Sequence, residues 1–121
     1  MQTDDGQNIL IRLLGLCFSV KIFHYRTRYY GAHKAADKFF AAYLVLADRF
    51  LEVYQGKYER IIFEESSVDM SLPVLTDENI AAYLVEESKW LASLPFDDDL
   101  KNIADELQAT VNNFKYLLIF K

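Results

Sequence analysis

The stretch that decides the fold lies at residues 33–52 and reads HKAADKFFAAYLVLADRFLE. It carries two pairs of metal-binding side chain types, each pair four residues apart: His33 with Asp37, and Asp48 with Glu52. Residues four apart lie one turn apart on the same side of a helix. At about 100° per residue, all four fall within a sector of roughly 100°. The two pairs are roughly 22 Å apart along the helix axis, so one helix does not bring them to a common ion.

A second copy of the helix, running antiparallel across a two-fold axis, can bring the two pairs together. The pattern is mirror-symmetric, because the midpoint of His33 and Glu52 coincides with the midpoint of Asp37 and Asp48. A two-fold near residues 42–43 would place the first pair opposite Glu52 and Asp48 of the partner subunit, and it would do so twice. The sequence therefore predicts a metal site shared between the subunits of a helical dimer.

The same helix is apolar on two sides. One stripe suits the core of a bundle and comprises Phe39, Tyr43, Leu46, Phe50 and Tyr54. A second apolar set lies between and beside the ligand pairs, where the two-fold relates Ala41 to Leu44 and Phe40 to Val45. Two apolar sides are typical of a bundle helix that also makes a dimer contact.

Hydrophobic period and helix-end signals predict four helices, over about 5–23, 32–59, 76–94 and 98–121. Their expected N-caps include Asp4 or Asp5, Thr76, and Asp97 or Asp98. The segment Ile61–Leu75 has no clear period, and we expect a crossover there with a short helix around Glu65–Met70. The predicted fold class is all-α, a single domain over residues 1–121. It forms an up-down-up-down four-helix bundle with a long crossover between the second and third helices.

These motifs resemble those of the Dps miniferritins, a branch of the ferritin-like four-helix proteins. The similarity rests on His24-Tyr25, His33-x3-Asp37 and Asp48-x3-Glu52, which stand in the order that the family uses. It covers residues 8–60 well and residues 97–121 loosely, where Phe114-Lys115-Tyr116-Leu117 is similar to the aromatic end of the family's fourth helix. The resemblance implies a ferritin-like bundle.

In that family, two His and one Asp of one subunit bind iron together with Asp and Glu of its two-fold mate. The resemblance therefore implies a mononuclear or dinuclear site in which His24, His33 and Asp37 face Asp48 and Glu52 of the partner subunit. It implies oxidation of Fe²⁺ to Fe³⁺ by peroxide or oxygen, for iron storage, detoxification and defence against oxidative stress. Zn²⁺ or Mn²⁺ also suit such ligands. The implied assembly is a homo-oligomer, at least a two-fold dimer and in the family a dodecameric shell.

The composition fits one domain with buried subunit contacts. Hydrophobic residues are 52% and aromatic residues 15% of the 121 residues, which is rich for a small monomer. The net charge of −5 and the pI of about 4.9 leave little to gain from counterion release on nucleic acid. Met1–Asn8 is acidic and polar rather than Lys-rich. We therefore expect no nucleic-acid partner, whereas an acidic surplus suits attraction of Fe²⁺.

Cys17 is the only cysteine, so no disulfide can form within the chain. A reducing compartment, the cytoplasm, is expected, with Cys17 as a small core residue. The apolar run Ile9–Phe23 is interrupted by Arg12 and Lys21 and is too short to span a bilayer. We expect a largely buried amphipathic helix there and no membrane partner.

A simpler interpretation of the four-ligand face is a solvated surface whose acids pair with Lys34, Lys38 and Arg49. His24, at a helix end, could be a capping or surface residue instead of a ligand. The chain would then be a non-catalytic helical-bundle adaptor or structural protein that keeps the ferritin-like dimer without a functional iron site.

One further hypothesis concerns binding of nucleic acid. Arginines and tyrosines interleave between Tyr25 and Lys34, which could be a stacking patch for single-stranded nucleic acid. We favour a loop whose tyrosines pack on the bundle and whose cations stay solvated. The sequence contains no P-loop, no GxGxxG and no zinc-finger spacing. Ferroxidase chemistry is the enzymatic activity that the resemblance to the miniferritins implies.

Overall fold

A computed structural model describes residues 3–64 and 68–121 of the chain, and these residues contain four α-helices. They are α1 (Thr3–Arg26), α2 (Tyr30–Lys57), α3 (Ile80–Ser93) and α4 (Asp98–Leu117). The described ranges contain no β-strand. The predicted all-α, four-helix class is confirmed. Of the short helix expected around Glu65–Met70, residues 65–67 lie outside the described ranges, and residues 68–70 are not helical.

The helix ends differ from the predicted ones by a few residues. α1 continues to Arg26, so His24 lies within the helix, and the connection to α2 is only Thr27–Tyr29. Thr76 precedes α3 by one turn: its hydroxyl accepts the backbone N–H of Asn79 at 3.1 Å, and its own N–H donates to the Asn79 side-chain oxygen at 2.8 Å. This reciprocal bonding satisfies donors that the first turn of a helix leaves free.

The course of the crossover fixes the direction of each helix. Near its start, the side-chain amide of Gln7, early in α1, donates to the carbonyl oxygen of Ile62 at 2.6 Å. Near its end, the hydroxyl of Thr27, just after α1, donates to a carboxylate oxygen of Asp77 at 2.5 Å. The two ends of the crossover therefore lie at opposite ends of α1, and the second lies at the end of the bundle at which α2 began.

α2 and α3 are consequently parallel, and α4 is antiparallel to both. Lys57 at the end of α2 pairs with Asp99 at the start of α4 at 3.0 Å. The order is up-down-down-up, so the predicted up-down-up-down alternation is wrong for the second pair of helices. Alternation needs a short turn between α2 and α3, whereas the crossover over residues 58–79 is long enough to span the roughly 42 Å of α2.

The core stripe predicted on α2 is buried. Its fully or nearly fully buried members are Phe39, Tyr43, Phe50 and Tyr54, and Leu46 is half-buried. The centre of the Phe39 ring lies 4.8 Å from that of Tyr43 and 4.7 Å from that of Phe114 in α4. These ring contacts, together with the apolar area that they bury, hold α2 against α4.

α1 contributes the second buried side of the core. Cys17 is fully buried there, as predicted, and burial raises the pKa of its thiol to about 12. The stretch Asp5–Arg26 is long and apolar enough to cross a membrane, and half of its most apolar window is buried inside the bundle. We interpret α1 as a core helix, because its buried residues pack into the same cluster as those of α2.

α1 and α3 close the bundle through side chains. α1 packs on α2, α2 on α4 and α4 on α3, whereas the α1 and α3 backbones do not approach closely. Arg12 Nη2 lies 3.0 Å from Glu87 Oε1, and the Arg12 guanidinium carbon lies 4.7 Å from the centre of the Trp90 ring. This seam between α1 and α3 is therefore more open than the other three sides.

Candidate metal site on the α1–α2 face

Two histidines stack on each other where α1 passes into α2. His24 lies in the last turn of α1 and His33 in the first turn of α2, and the three-residue connection brings the two turns side by side. Their ring centres are 3.8 Å apart, and their planes differ by 16°. His24 is 9% exposed and His33 is half-buried. The structure thus brings together the two histidines that the sequence predicted as ligands.

The hydrogen bonds of the two rings are reciprocal. His24 Nδ1 lies 2.7 Å from the carbonyl oxygen of His33, and His33 Nδ1 lies 2.8 Å from the carbonyl oxygen of His24. A carbonyl oxygen can only accept, so each Nδ1 must carry the hydrogen. In the neutral ring, Nε2 then keeps its lone pair. Both histidines are therefore held in the tautomer that can bind a metal ion through Nε2.

Asp37, one turn after His33, is held by a lysine. Lys21 Nζ in α1 lies 2.8 Å from Asp37 Oδ1. The hydrogen bond from Lys21, followed by its charge, lowers the pKa of Asp37, and His24 and His33 contribute smaller effects of the same sign. The same bond raises the pKa of Lys21. Asp37 therefore lies beside the histidine pair as an exposed carboxylate whose partner is a cation of the chain itself.

Asp48 and Glu52 lie on the exposed side of α2, away from the histidines. Neither has a hydrogen-bond or ion-pair partner among the described residues. Arg49, which could have paired with them, instead lies 3.3 Å from Glu106 of α4. Within one chain, the described residues form no group of three or more His, Cys, Asp or Glu side chains placed to hold a metal ion. His24, His33 and Asp37 of one chain therefore do not form such a group by themselves, and Asp48 and Glu52 could join them only from a second subunit.

An apolar surface strip surrounds these residues on α1 and α2. Phe18 is 43% exposed, Ile22 47% and Val45 68%. The Phe18 ring lies 6.1 Å from that of Phe40, which joins the α1 and α2 parts of the strip. Large exposed apolar side chains that are grouped in this way are typical of a contact surface.

Sequence reasoning missed Lys21 as part of this group. Its signal was its place three residues before His24, which puts both on one side of α1. It also missed the ion pair of the exposed Arg12 with the buried Glu87. Neither is marked by a motif, because each pairing depends on how two helices pack.

The fold and this face define a four-helix-bundle protein in which reciprocal hydrogen bonds hold two histidines where α1 connects to α2. The chain belongs to DUF5856, a family of unknown function, whose sequence profile matches residues 24–118. That range includes all five predicted ligands. No curated protein and no solved structure gives a significant match to the chain.

Proposed function

We propose that this chain is a Dps-like iron-binding protein that takes up Fe²⁺ at a site shared across a two-fold interface and oxidises it to Fe³⁺. The observation that carries this proposal is the pair of reciprocal hydrogen bonds that hold the rings of His24 and His33. Both Nδ1 atoms donate to backbone carbonyl oxygens, which leaves both Nε2 atoms free to bind. Metal-binding histidines commonly have their second ring nitrogen held in this way, because it fixes the tautomer and the ring orientation.

The helix arrangement supports the same proposal. One long crossover joins two parallel helices, and the remaining connections are short. A four-helix bundle with a single long crossover is the arrangement of ferritin-like folds. In such bundles, metal ions are bound by side chains on facing helices, and here the facing helix would be α2 of a second subunit.

A second subunit would supply the missing carboxylates. Asp48 and Glu52 are exposed and have no partner among the described residues, so they are available to an ion held by His33 on the other chain. The strip of Phe18, Ile22 and Val45 would become buried in the same contact. Burial of this apolar area would favour the dimer. Metal binding would favour it further, because each ion would join two chains.

The donor set suits iron as a substrate. Two imidazole nitrogens and three carboxylates are hard to borderline ligands, which suit Fe²⁺ and also accept Zn²⁺ or Mn²⁺. Carboxylates stabilise Fe³⁺ relative to Fe²⁺ because they carry negative charge, so they favour loss of one electron from each iron to peroxide or oxygen. In the cytoplasm, this activity would remove Fe²⁺ and peroxide together. A shell of twelve subunits would allow the Fe³⁺ product to be stored.

The test is the absorbance of Fe³⁺ after anaerobic Fe²⁺ loading and addition of peroxide. We expect rapid oxidation in the wild type and at least a tenfold loss in Asp48→Asn, Glu52→Gln, because second-subunit ligands act directly on the ion. Asp105→Asn removes an exposed carboxylate of α4 that pairs with Lys101 and serves as the control. Wild-type protein that oxidises Fe²⁺ no faster than buffer would overturn the proposal.

One observation favours a second function, that of a bundle adaptor without an iron site. Asp37 is already paired with Lys21, and a structural ion pair needs no metal. The adaptor would still form the two-fold dimer through its apolar strip. Light scattering that shows a dimer, together with no Fe²⁺ or Zn²⁺ binding by calorimetry, would favour this second function.

A further inference from the structure

A groove of about 560 Å³ lies on the seam between α1, α3 and the crossover. Its apolar lining includes Ile11, Leu16, Met70, Leu72 and Pro73. Sites that bind small molecules commonly have volumes of about 300–1,000 Å³ and combine apolar walls with a few polar groups. The groove includes no residue of the proposed iron site, so ligand binding there can be tested independently of iron oxidation.

The polar group of the groove is a buried carboxylate. Glu87 lines the groove and is 1% exposed. Its Oε1 accepts from Arg12 Nε at 3.1 Å and lies 3.0 Å from Arg12 Nη2, whereas its Oε2 has no hydrogen-bond partner among the described residues. Buried polar atoms in native proteins almost always have a partner. A donor from outside the chain would therefore complete this carboxylate.

The charge of the lining indicates which kind of donor fits. Asp69, Glu86 and Glu87 line the groove, and Arg12 is the one cation among its described lining residues. Arg12 directs both of its close contacts to one oxygen of Glu87. An excess of carboxylates in a cleft with apolar walls attracts cations and disfavours anions.

We propose that this groove binds an organic ammonium ion, a primary amine with an apolar body. The ammonium group donates to Glu87 Oε2, and the apolar body lies against Leu16 and Leu72. Oε2 is covered in the structure, so the ligand displaces a neighbouring side chain as it enters. Arg12, whose side chain is 41% exposed, has the freedom to move. Such side-chain rearrangements are common on binding.

Gly15 keeps the groove open beside these residues. A Cβ atom at Gly15 would lie 3.6 Å from a terminal carbon of Leu72 and 4.0 Å from the terminal carbon of Met70, which is ordinary contact. A methyl group would fit there, but a leucine side chain would occupy the space of the ligand body. Gly15→Leu therefore blocks the groove and leaves Glu87 in place.

The experiment compares phenethylamine with 2-phenylethanol, a neutral molecule of similar size, by two-dimensional NMR titration of the full chain. We expect phenethylamine to shift the Gly15 amide and the Trp90 indole signals. We expect it to bind about tenfold more tightly than the alcohol, because a charge-assisted hydrogen bond is stronger than a neutral one. Glu87→Gln should remove this preference, and Gly15→Leu should abolish binding of both. Asp105→Asn, which removes an exposed carboxylate of α4 that does not line the groove, is the control and should retain the preference.

Three results would overturn the proposal. The first is equal affinity for the amine and the alcohol in the wild type. The second is amine binding that survives in Gly15→Leu. The third is the absence of any shift at the solubility limit of the amine, with a crystal structure that shows only a buried water on Glu87 Oε2.

Discussion

Lys21 Nζ lies 2.8 Å from Asp37 Oδ1, so a cation of the chain itself holds the predicted carboxylate ligand one turn after His33. Both partners are substantially exposed, and an ion pair of this kind contributes little to stability. Its consequence for the proposed site is competition. A metal ion that uses Asp37 must take the place of the Lys21 ammonium group.

Lys21→Met should therefore strengthen metal binding. The substitution keeps an apolar side chain of similar length but removes the competing cation, so we expect Zn²⁺ affinity to rise several-fold by calorimetry. Lys57→Met is a matched control, because Lys57 makes a similar exposed ion pair with Asp99 at 3.0 Å, far from the histidines. Unchanged affinity in Lys21→Met would show that the ion does not use Asp37.

Mixing two inactive variants should restore part of the activity. His33→Ala and Glu52→Ala should each lack Fe²⁺ oxidation alone, because each would remove a ligand from both sites of a dimer. In a mixed dimer, one site would combine the intact His33 of one chain with the intact Glu52 of the other. We expect about one quarter of wild-type activity if subunits exchange randomly and each intact site works independently. Demonstrated exchange without any recovery would contradict the shared-site geometry.

The hydrogen bonds and the ring stack of the two histidines should also contribute to the free energy of unfolding. His24→Ala removes the ring stack and the hydrogen bond to the carbonyl oxygen of His33, and we expect a loss of about 1–2 kcal/mol in unfolding free energy. Tyr25→Ala, next in sequence and 73% exposed, should change it by less than about 0.5 kcal/mol. Urea denaturation monitored by circular dichroism gives both values. Equal effects of the two substitutions would mean that the hydrogen bonds and the ring stack of the two histidines add nothing to stability.

Cys17 should be chemically inert in the folded chain. It is fully buried, and burial raises the pKa of its thiol to about 12. Since the thiolate is the reactive form, we expect no reaction with iodoacetamide at about pH 8 and rapid reaction after unfolding in urea. Mass spectrometry measures the modified fraction. Rapid labelling without denaturant would mean that α1 leaves the core readily.

The sequence predicted those features of the fold and site that depend on one helix alone. The hydrophobic period of α2 predicted which of its residues share one side of the helix. Phe39 and Tyr43 of the predicted core stripe are buried, as expected. The sequence marked His24 and His33 as ligands but did not predict that their rings stack, because the stack depends on how α1 and α2 meet. The direction of α3 was not predicted correctly, because it depends on the path of a crossover that has no periodic signal. The ion pair of Lys21 with Asp37 depends on the relative placement of α1 and α2.

The stability of the chain should depend on pH through Glu87, the buried carboxylate of the seam between α1 and α3. Burial raises the pKa of Glu87 above its ordinary value of 4.5, and the hydrogen bond and charge of Arg12, with a smaller effect of Tyr83, only partly oppose this effect. The folded chain therefore holds the Glu87 proton more tightly than the unfolded chain does. Its contribution to the unfolding free energy should decrease as the pH rises from about 4.5 through the raised pKa, and should be constant above it.

Glu87→Gln lacks this proton and should lack this pH dependence. The difference in unfolding free energy between wild type and Glu87→Gln should therefore shift against the wild type between about pH 4 and about pH 8. Urea denaturation at several pH values measures the shift. Glu86→Gln, one residue earlier and exposed, gives the effect of losing a surface charge, which is subtracted. A difference that stays constant over this range, or moves in favour of the wild type, would show that Glu87 is not destabilised by burial when it is ionised.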